Sequence, residues 1–370
     1  MQKISILLII STTILYAQHY TLESASDCAG CHETVYEQWQ NSMHYKSTLD
    51  RDILYQGMYN WAVEDTKGKL ASKCKSCHTP YNALQEDSLV TDTDYNRPVD
   101  CVYCHSIDSS SHPPVFSLTK YSSNENIESD YHKIEERDHF KNEQICMLCH
   151  KELSNPAGIP ICITGDEFYN QDTREEKPMC QECHMPQKSQ SKSADLENHE
   201  EPSAHSFLGP HNPEFLSKSL GLSGSVEGNK LTITVENSKT PHAYPTGSPL
   251  RLVILKVIGF DENKKMIYQN WKANPVIEDP NAVFARLFAD KEGNAPVPPW
   301  KAASIRMESR LKPGENREIV YELPKAVQSV AVKLFFQLAP VPILKRLKID
   351  DPFLNTPHLI DEFQLVIGES

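Results

Sequence analysis

The sequence predicts an α+β chain of two domains: a mainly helical and coiled domain, then an antiparallel β-sandwich. Five Cys-x-x-Cys-His motifs lie between Cys28 and His184. Residues 187–202 are polar and rich in Ser, Lys and Glu, which is typical of a linker or surface excursion. From Leu220 onward the chain has no cysteine, and apolar residues alternate with polar ones in short runs, which favours strands. We therefore predict domains at residues 24–216 and 220–370.

The five motifs use ten of the 11 cysteines. Their residues are Cys28, Cys31 and His32; Cys74, Cys77 and His78; Cys101, Cys104 and His105; Cys146, Cys149 and His150; and Cys180, Cys183 and His184. Such a motif attaches c-type haem, because its two thiols bond one porphyrin and its histidine ligates the iron. Structural zinc is the alternative, but zinc does not need a histidine directly after each cysteine pair, and five pairs leave one without a partner. The sequence therefore predicts five covalent haems.

The spacing of the motifs leaves roughly 30 residues for each haem, too few to wrap five porphyrins separately. The haems must share walls and supply much of the core of this domain. Haems packed in this way are close enough to exchange electrons.

The N-terminus resembles a secretory signal over residues 1–17. Lys3 is followed by the apolar run Ile4–Leu15, and Ala17 is a small residue before a cleavage point. The run is shorter than the roughly 20 residues that span a bilayer, although an uncleaved anchor is the alternative. We expect export to the periplasm or another extracytoplasmic compartment. The remaining cysteine, Cys162, is either a buried apolar residue or a free reactive thiol.

The formal net charge is −13, and haem propionates would make the surface more acidic. Nucleic acids and anionic lipids need basic faces, so neither is expected as a partner. An acidic surface suits docking to a basic patch on another protein.

Apolar periodicity predicts the regular elements. Helices are expected at Thr34–Lys46 and Asn124–Lys151, and loops at Ser106–Pro114 and Pro275–Pro299. Alternation predicts six strands, at Leu231–Val235, Leu250–Phe260, Lys265–Trp271, Arg317–Leu323, Ser329–Leu338 and Phe363–Ile367. Strands without intervening helices predict a sandwich of the immunoglobulin-like kind.

Ten histidines lie outside the motifs, enough to give each of five irons a second histidine. His132 and His139 are seven residues apart on the predicted helix and hence on one face. Either one is a candidate ligand, and we select His139.

Several segments resemble the cytochrome c-554 type of multihaem cytochrome. They are Trp39-Gln-Asn-Ser42-Met-His44; Cys101-Val-Tyr-Cys104-His105 with His112 seven residues on; Cys180-Gln-Glu-Cys183-His184-Met185-Pro186 with His205-Ser-Phe207-Leu-Gly209; and Pro241-His242-Ala-Tyr-Pro245-Thr246-Gly247. The resemblance implies that His44, His112 and His205 are distal iron ligands, with His211 as an alternative to His205. It also implies that His242 approaches the haem domain in a turn that opens the β-domain.

The leading functional hypothesis is an exported pentahaem cytochrome that transfers electrons between redox partners, either other cytochromes or quinol-linked membrane complexes. If all five irons have two histidines, none has an open position. The alternative is an oxidoreductase that acts on nitrite, hydroxylamine or a sulfur oxyanion at a five-coordinate haem. A third hypothesis, compatible with the first, is that the β-domain docks the protein on a membrane complex.

Overall fold

The structure is a computed structural model, and it describes residues 23–84, 96–108, 115–117, 119–123, 131–186 and 203–367. The predicted signal segment Met1–Ala17, the polar stretch Gln187–Pro202 and His112 lie outside these residues. No helix within the described ranges is both long enough and apolar enough to span a membrane.

The helices are short and most lie in the part of the chain that carries the motifs. They are α1 Ala25–Cys28, α2 Glu33–Gln40, α3 Ile53–Thr66, α4 Ala71–His78, α5 Cys101–Ser106, α6 Gln144–His150, α7 Thr164–Asp166, α8 Cys180–His184, α9 Pro213–Leu216, α10 Pro275–Glu278, α11 Val341–Leu347 and α12 Pro352–Asn355.

Helix α2 confirms the core of the helix predicted at Thr34–Lys46, although it ends at Gln40. The longer α3 was missed. Asp52 caps the start of this helix, and its carboxylate accepts hydrogen bonds from the backbone amides of Leu54 and Tyr55. Lys67, in the left-handed conformation (φ 50°), marks the end of the helix.

The helix predicted at Asn124–Lys151 is wrong over the residues described. A short strand at Ile134–Glu136 and a 3₁₀ turn at Asp138–Phe140 precede the helix, which begins only at Gln144. The strand pairs in parallel with Lys120–Ser122, and this tertiary pairing overrides the weak helical spacing of Tyr131 and Ile134.

The strands are β1 Ile107–Asp108, β2 Val115–Phe116, β3 Lys120–Ser122, β4 Ile134–Glu136, β5 Leu153–Ser154, β6 Pro160–Cys162, β7 Gly221–Glu227, β8 Lys230–Glu236, β9 Leu252–Phe260, β10 Met266–Gln269, β11 Val283–Phe284, β12 Arg286–Ala289, β13 Ser304–Glu308, β14 Asn316–Glu322, β15 Ser329–Gln337 and β16 His358–Val366. All six predicted strands are present, with bounds shifted by a few residues. The prediction of a loop at Pro275–Pro299 is wrong, because this segment contains α10, β11 and β12.

Two antiparallel sheets from β7 onward face each other across one core. The larger has the order β10-β9-β15-β16, with β11 also paired to β9, and the smaller has the order β14-β8-β7. Ile233 of β8, Val257 of β9 and Val332 of β15 have no solvent exposure and belong to the same cluster. Each such side chain stabilises the fold by about 1.5–3 kcal/mol, so this core holds the sheets together. The predicted mixture of helices with antiparallel sheets is confirmed, while the division into two domains stays a prediction.

The part of the chain that carries the motifs has little apolar core of its own. One buried cluster there consists of Tyr81, Tyr103, Ile107 and Phe116. A segment of this length normally buries far more aliphatic side chain. The small number of buried aliphatic side chains agrees with the expectation that prosthetic groups fill the interior of this part of the chain.

Helix α3 connects this part to the sheets. A Cβ on Gly57 would lie 3.1 Å from the side chain of Leu347 in α11, so the two helices are in close contact. Trp61 packs edge-on against Trp300 with ring centroids 5.2 Å apart, and Asp65 accepts a hydrogen bond from the Trp300 indole.

Candidate haem-binding site

The motifs are placed on or beside short helices. The histidines of the second, fourth and fifth motifs are the last residues of α4, α6 and α8, and the third motif lies within α5. In the first motif, Cys28 ends α1 and His32 caps α2. Residues three and four apart share one face of a helix. Both thiols and the histidine of a helical motif are therefore directed to one side, as attachment of one haem requires.

Four motif histidines each face a second histidine from elsewhere in the chain. The ring centroids are 6.4 Å apart for His32 and His132, 6.3 Å for His44 and His150, 6.1 Å for His105 and His205, and 6.5 Å for His184 and His242. A ligating nitrogen lies about 2 Å from a first-row metal and roughly 1 Å from its ring centre, so two imidazoles on opposite sides of one iron have centres roughly 6 Å apart. All four pairs match this spacing.

Backbone carbonyls orient several of these rings. The Nδ1–H of His105 donates to Tyr121 O at 2.8 Å, and that of His205 donates to Ser203 O at 2.8 Å. His242 donates to the carbonyl of Ala243 at 3.0 Å, and His184 donates to that of Leu208. A proton fixed on Nδ1 leaves Nε2 free for a metal, which is the usual outer-sphere arrangement of histidine ligands.

Burial also favours the neutral form of these rings. It lowers the pKa of His44 to about 3, and the pKa values of His150, His205 and His242 to about 4. Only neutral imidazole binds a metal. These side chains are therefore ready to ligate at neutral pH without losing a proton.

His78 differs from the other motif histidines. The ring packed on it belongs to Tyr55, with centroids 3.8 Å apart and planes at 10°. Among the described residues, no histidine forms a ring pair with His78. A cavity of about 390 Å³ beside this motif is lined by residues that include Tyr55, Lys75 and Thr79.

The histidines selected from the sequence have different outcomes. The structure places His44, His205 and His242 opposite motif histidines, whereas His112 lies outside the described residues. The sequence selects His139 over His132, whereas in the structure it is His132 that faces His32, and His139 packs on Phe140 with centroids 4.6 Å apart. The reason is that β4 separates the two residues, so they do not share a helix face.

His211, the alternative to His205, stacks on Phe353 of α12 with centroids 5.8 Å apart. The structure therefore brings His205, and not His211, to a motif histidine. The sequence did not predict that Tyr55 belongs to the site. The one available signal was its position in the first turn after Asp52, a residue type that commonly begins a helix.

Contacts between thiols connect the five motifs. Three pairs of thiols lie close enough to shift each other's pKa: Cys28 with Cys101, Cys77 with Cys149, and Cys146 with Cys180. Cys104 in the third motif lies close enough to Cys146 and Cys149 in the fourth to raise the pKa of Cys149. The first motif therefore adjoins the third, and the fourth adjoins the second, third and fifth.

A buried ion pair supports the turn that carries His242. Glu167 has no solvent exposure, and it accepts hydrogen bonds from Thr246 Oγ1 at 2.6 Å and from Arg310 Nη1 at 2.5 Å. Thr246 Oγ1 also lies 2.9 Å from Thr164 Oγ1 at the start of α7. Desolvation raises the pKa of Glu167, although Arg310 opposes the shift. These contacts hold the turn against the part of the chain that carries the motifs.

The donor set fits c-type haem. The motif cysteines are free thiols, and paired histidines with a fixed Nδ1 proton are suited to axial ligation of iron. Within the described residues, no three His, Cys, Asp or Glu side chains converge in a way that could hold a metal ion by themselves. Structural zinc, the alternative considered from the sequence, finds no ligand set there. Bound haem would supply reversible one-electron chemistry at its iron.

Comparison with known proteins agrees with this geometry. Residues 27–106 match the family model described as cytochrome c554 and c-prime. No curated protein matches the chain. Among solved structures, a penta-heme cytochrome c552 from Thermochromatium tepidum matches with 27% sequence identity and a TM-score of 0.77, over 94% of this chain and 99% of that chain.

Proposed function

We propose that this chain is a multihaem c-type cytochrome of the kind that the matched cytochrome c554 family model and penta-heme structure represent. We further propose that it carries five covalent haems and passes electrons between redox partner proteins. The single observation that carries this proposal is that every motif has a thiol close to a thiol of another motif. Haems attached to neighbouring thiols would lie side by side, so an electron that enters at one motif would reach every other motif without leaving the protein.

The protein's own residues suit a carrier. Four pairs of histidines would close both faces of four irons, namely His32 with His132, His150 with His44, His105 with His205, and His184 with His242. A closed iron takes up and releases an electron without binding a small molecule. Rings held by backbone carbonyls move little when the charge on the iron changes, which favours fast transfer.

Export, location and partners belong to the same proposal. The segment Met1–Ala17 would direct the chain to the periplasm, where c-type haem is attached. The net charge of −13 suits docking to a basic face on another cytochrome or on a quinol-linked membrane complex.

The first test is the number of haems. The mass of the exported, mature protein should exceed that of the processed chain by five haems. Fewer haems after complete maturation would contradict the proposal.

The second test is electron paramagnetic resonance of the oxidised protein. The four histidine pairs should give low-spin signals that do not change when nitrite, hydroxylamine or sulfite is added. Replacing His242 with Ala should convert one haem from low spin to high spin. His211→Ala is the matched control, because His211 stacks on Phe353 and faces no motif histidine. An unchanged spectrum in the His242 variant would rule out that residue as a ligand.

The alternative, chemistry on a small nitrogen or sulfur compound, would be located at His78. This is the motif histidine that stacks on Tyr55, and a cavity lies beside it. A high-spin signal in the unmutated protein that becomes low spin with nitrite, hydroxylamine or sulfite would support the enzyme over the carrier. In His242→Ala it should persist beside the new high-spin haem as a separate species.

A further inference from the structure

Arg251 is a half-buried cation, and the carboxylate that acts on it among the described residues, Asp52, lies beyond ion-pair distance. It directly precedes β9, and its Nη1 donates to Thr246 O at 2.8 Å. Among the described residues, no Asp or Glu oxygen lies within ion-pair distance of its guanidinium. A guanidinium offers five N–H donors, and the protein uses few of them here.

Other shielded arginines in the described ranges are paired. Arg97 binds Asp100, Arg286 binds Glu308, and Arg310 binds both Glu167 and Glu308. Withdrawing an arginine from water without a counter-charge is costly, so the exception at Arg251 indicates that an anion from outside the polypeptide completes the site.

The surroundings of Arg251 place that anion beside the fifth motif. Arg251 donates to Thr246 O in the turn that carries His242. The ring of His242 lies 6.5 Å from that of His184, and these two residues are the pair that would ligate the fifth haem. The cation therefore lies on the turn that would hold this haem.

The turn is shaped to admit this side chain. Gly247 has a φ of 79°, a conformation that favours glycine, and a Cβ there would lie 2.6 Å from Arg251 Nη1. The same turn carries His242. The backbone therefore holds a ligand and a cation on the same side of one haem.

We propose that Arg251 binds a propionate carboxylate of the haem attached to Cys180 and Cys183, and that its charge raises the reduction potential of that haem. This inference rests on the proposed haem binding. A cation nearby disfavours the oxidised iron, which carries one more positive charge than the reduced iron. A guanidinium can also bind a carboxylate through two parallel hydrogen bonds, which fixes the haem edge against the turn.

The test is a potentiometric titration of the intact five-haem protein, followed by visible and paramagnetic resonance spectroscopy. In Arg251→Gln, the reduction potential of one low-spin haem should fall. At a fixed ambient potential, the ratio of its oxidised to its reduced form should rise about ten-fold. For a one-electron couple this is 59 mV. Arg306→Gln is the control, since it removes an exposed arginine on β13 and should leave all five potentials unchanged.

Gly247→Ala provides an independent variant that keeps every charge. Its methyl group would displace the guanidinium, so the same haem should shift in the same direction. If Arg251→Gln accumulates poorly, this variant carries the test.

The outcomes separate this inference from the proposed function. A variant with five haems, intact low-spin signals and unchanged potentials would refute the role of Arg251 alone. Missing haems in the unmutated protein would refute the haem assignment itself. If the potential of the unmutated protein moves saturably with added sulfite or acetate, the cation binds free anions, and the propionate assignment is overturned.

Discussion

Replacing Asp100 with Ala should destabilise the helix that presents the third motif. Asp100 is 4% exposed and caps α5, where its Oδ1 accepts a hydrogen bond from Tyr103 N at 2.8 Å. The same oxygen accepts from the buried hydroxyl of Tyr81 at 2.6 Å. Its Oδ2 accepts from Nε and Nη2 of Arg97 at 3.0 and 2.7 Å.

The magnitude follows from these contacts. Loss of a helix cap costs about 1 kcal/mol. Removing one partner of a buried ion pair costs about 3–5 kcal/mol, because the remaining charge stays desolvated. Deletions within one network are not additive, so we expect a total loss of about 3–4 kcal/mol in the free energy of unfolding. Asp100→Asn keeps the cap and the shape but not the charge, and should lose about half as much.

The assay is urea unfolding of the haem-loaded protein at pH 7, followed by far-ultraviolet circular dichroism. With a urea slope of about 1–3 kcal/mol per molar, the midpoint for the Ala variant should fall by at least about 1 M. Glu262→Ala, an exposed acid in the turn after β9, is the control and should leave the midpoint unchanged. Equal midpoints for Asp100→Ala and the unmutated protein would show that the network contributes nothing.

Three further outcomes are expected. Burial raises the pKa of Cys162 to about 11, so only about one thiol in 10³ is ionised at pH 8. Iodoacetamide should therefore leave the folded protein unmodified and add one group after unfolding. Modification of the folded protein would contradict the burial of this thiol. Folding raises the pKa of Glu167 above its ordinary 4.5, so the carboxyl ionises first in the unfolded state, and its contribution to stability falls as pH rises from about 4.5 through the folded pKa. Between pH 4 and 8 the urea midpoint should therefore depend less on pH in Glu167→Gln than in the unmutated protein. An identical pH dependence in the two proteins would exclude the effect. Leu255→Ala should cost about 2–5 kcal/mol, because the side chain is fully buried, whereas Val320→Ala on the exposed face of β14 should change stability by less than about 0.5 kcal/mol in the same assay.

The sheets were largely predictable because their signal is local. Alternation in Leu231–Val235 or Ser329–Leu338 reports directly which side chains enter the core. Strand β7 was missed, since Gly and Ser hide its pattern; Gly224 is required there because a Cβ would lie 2.6 Å from the ring of Phe363. The hairpin of β12 and β13 was hidden by the prolines and glycine around it.

The motif part was less predictable. A haem-filled interior removes the apolar periodicity that normally marks a helix, so the spacing of Tyr131 and Ile134 was misleading. The motif residues themselves could be predicted from the sequence, because two thiols and a histidine must be close in sequence to hold one haem. The histidine opposite each motif histidine could not be predicted in this way, since the fold brings together residues such as His32 and His132 that are far apart in sequence.

The contacts among the thiols have a consequence for how the protein can fail. The fourth motif adjoins the second, third and fifth, while the first is reached through the third. Electron transfer among haems attached to these motifs would therefore be branched, with a junction at Cys146 and Cys149. Loss of the haem at the first, second or fifth motif would shorten one branch and leave the other branches connected. Loss of the haem at the junction would separate three branches from one another, although each would keep its own haems.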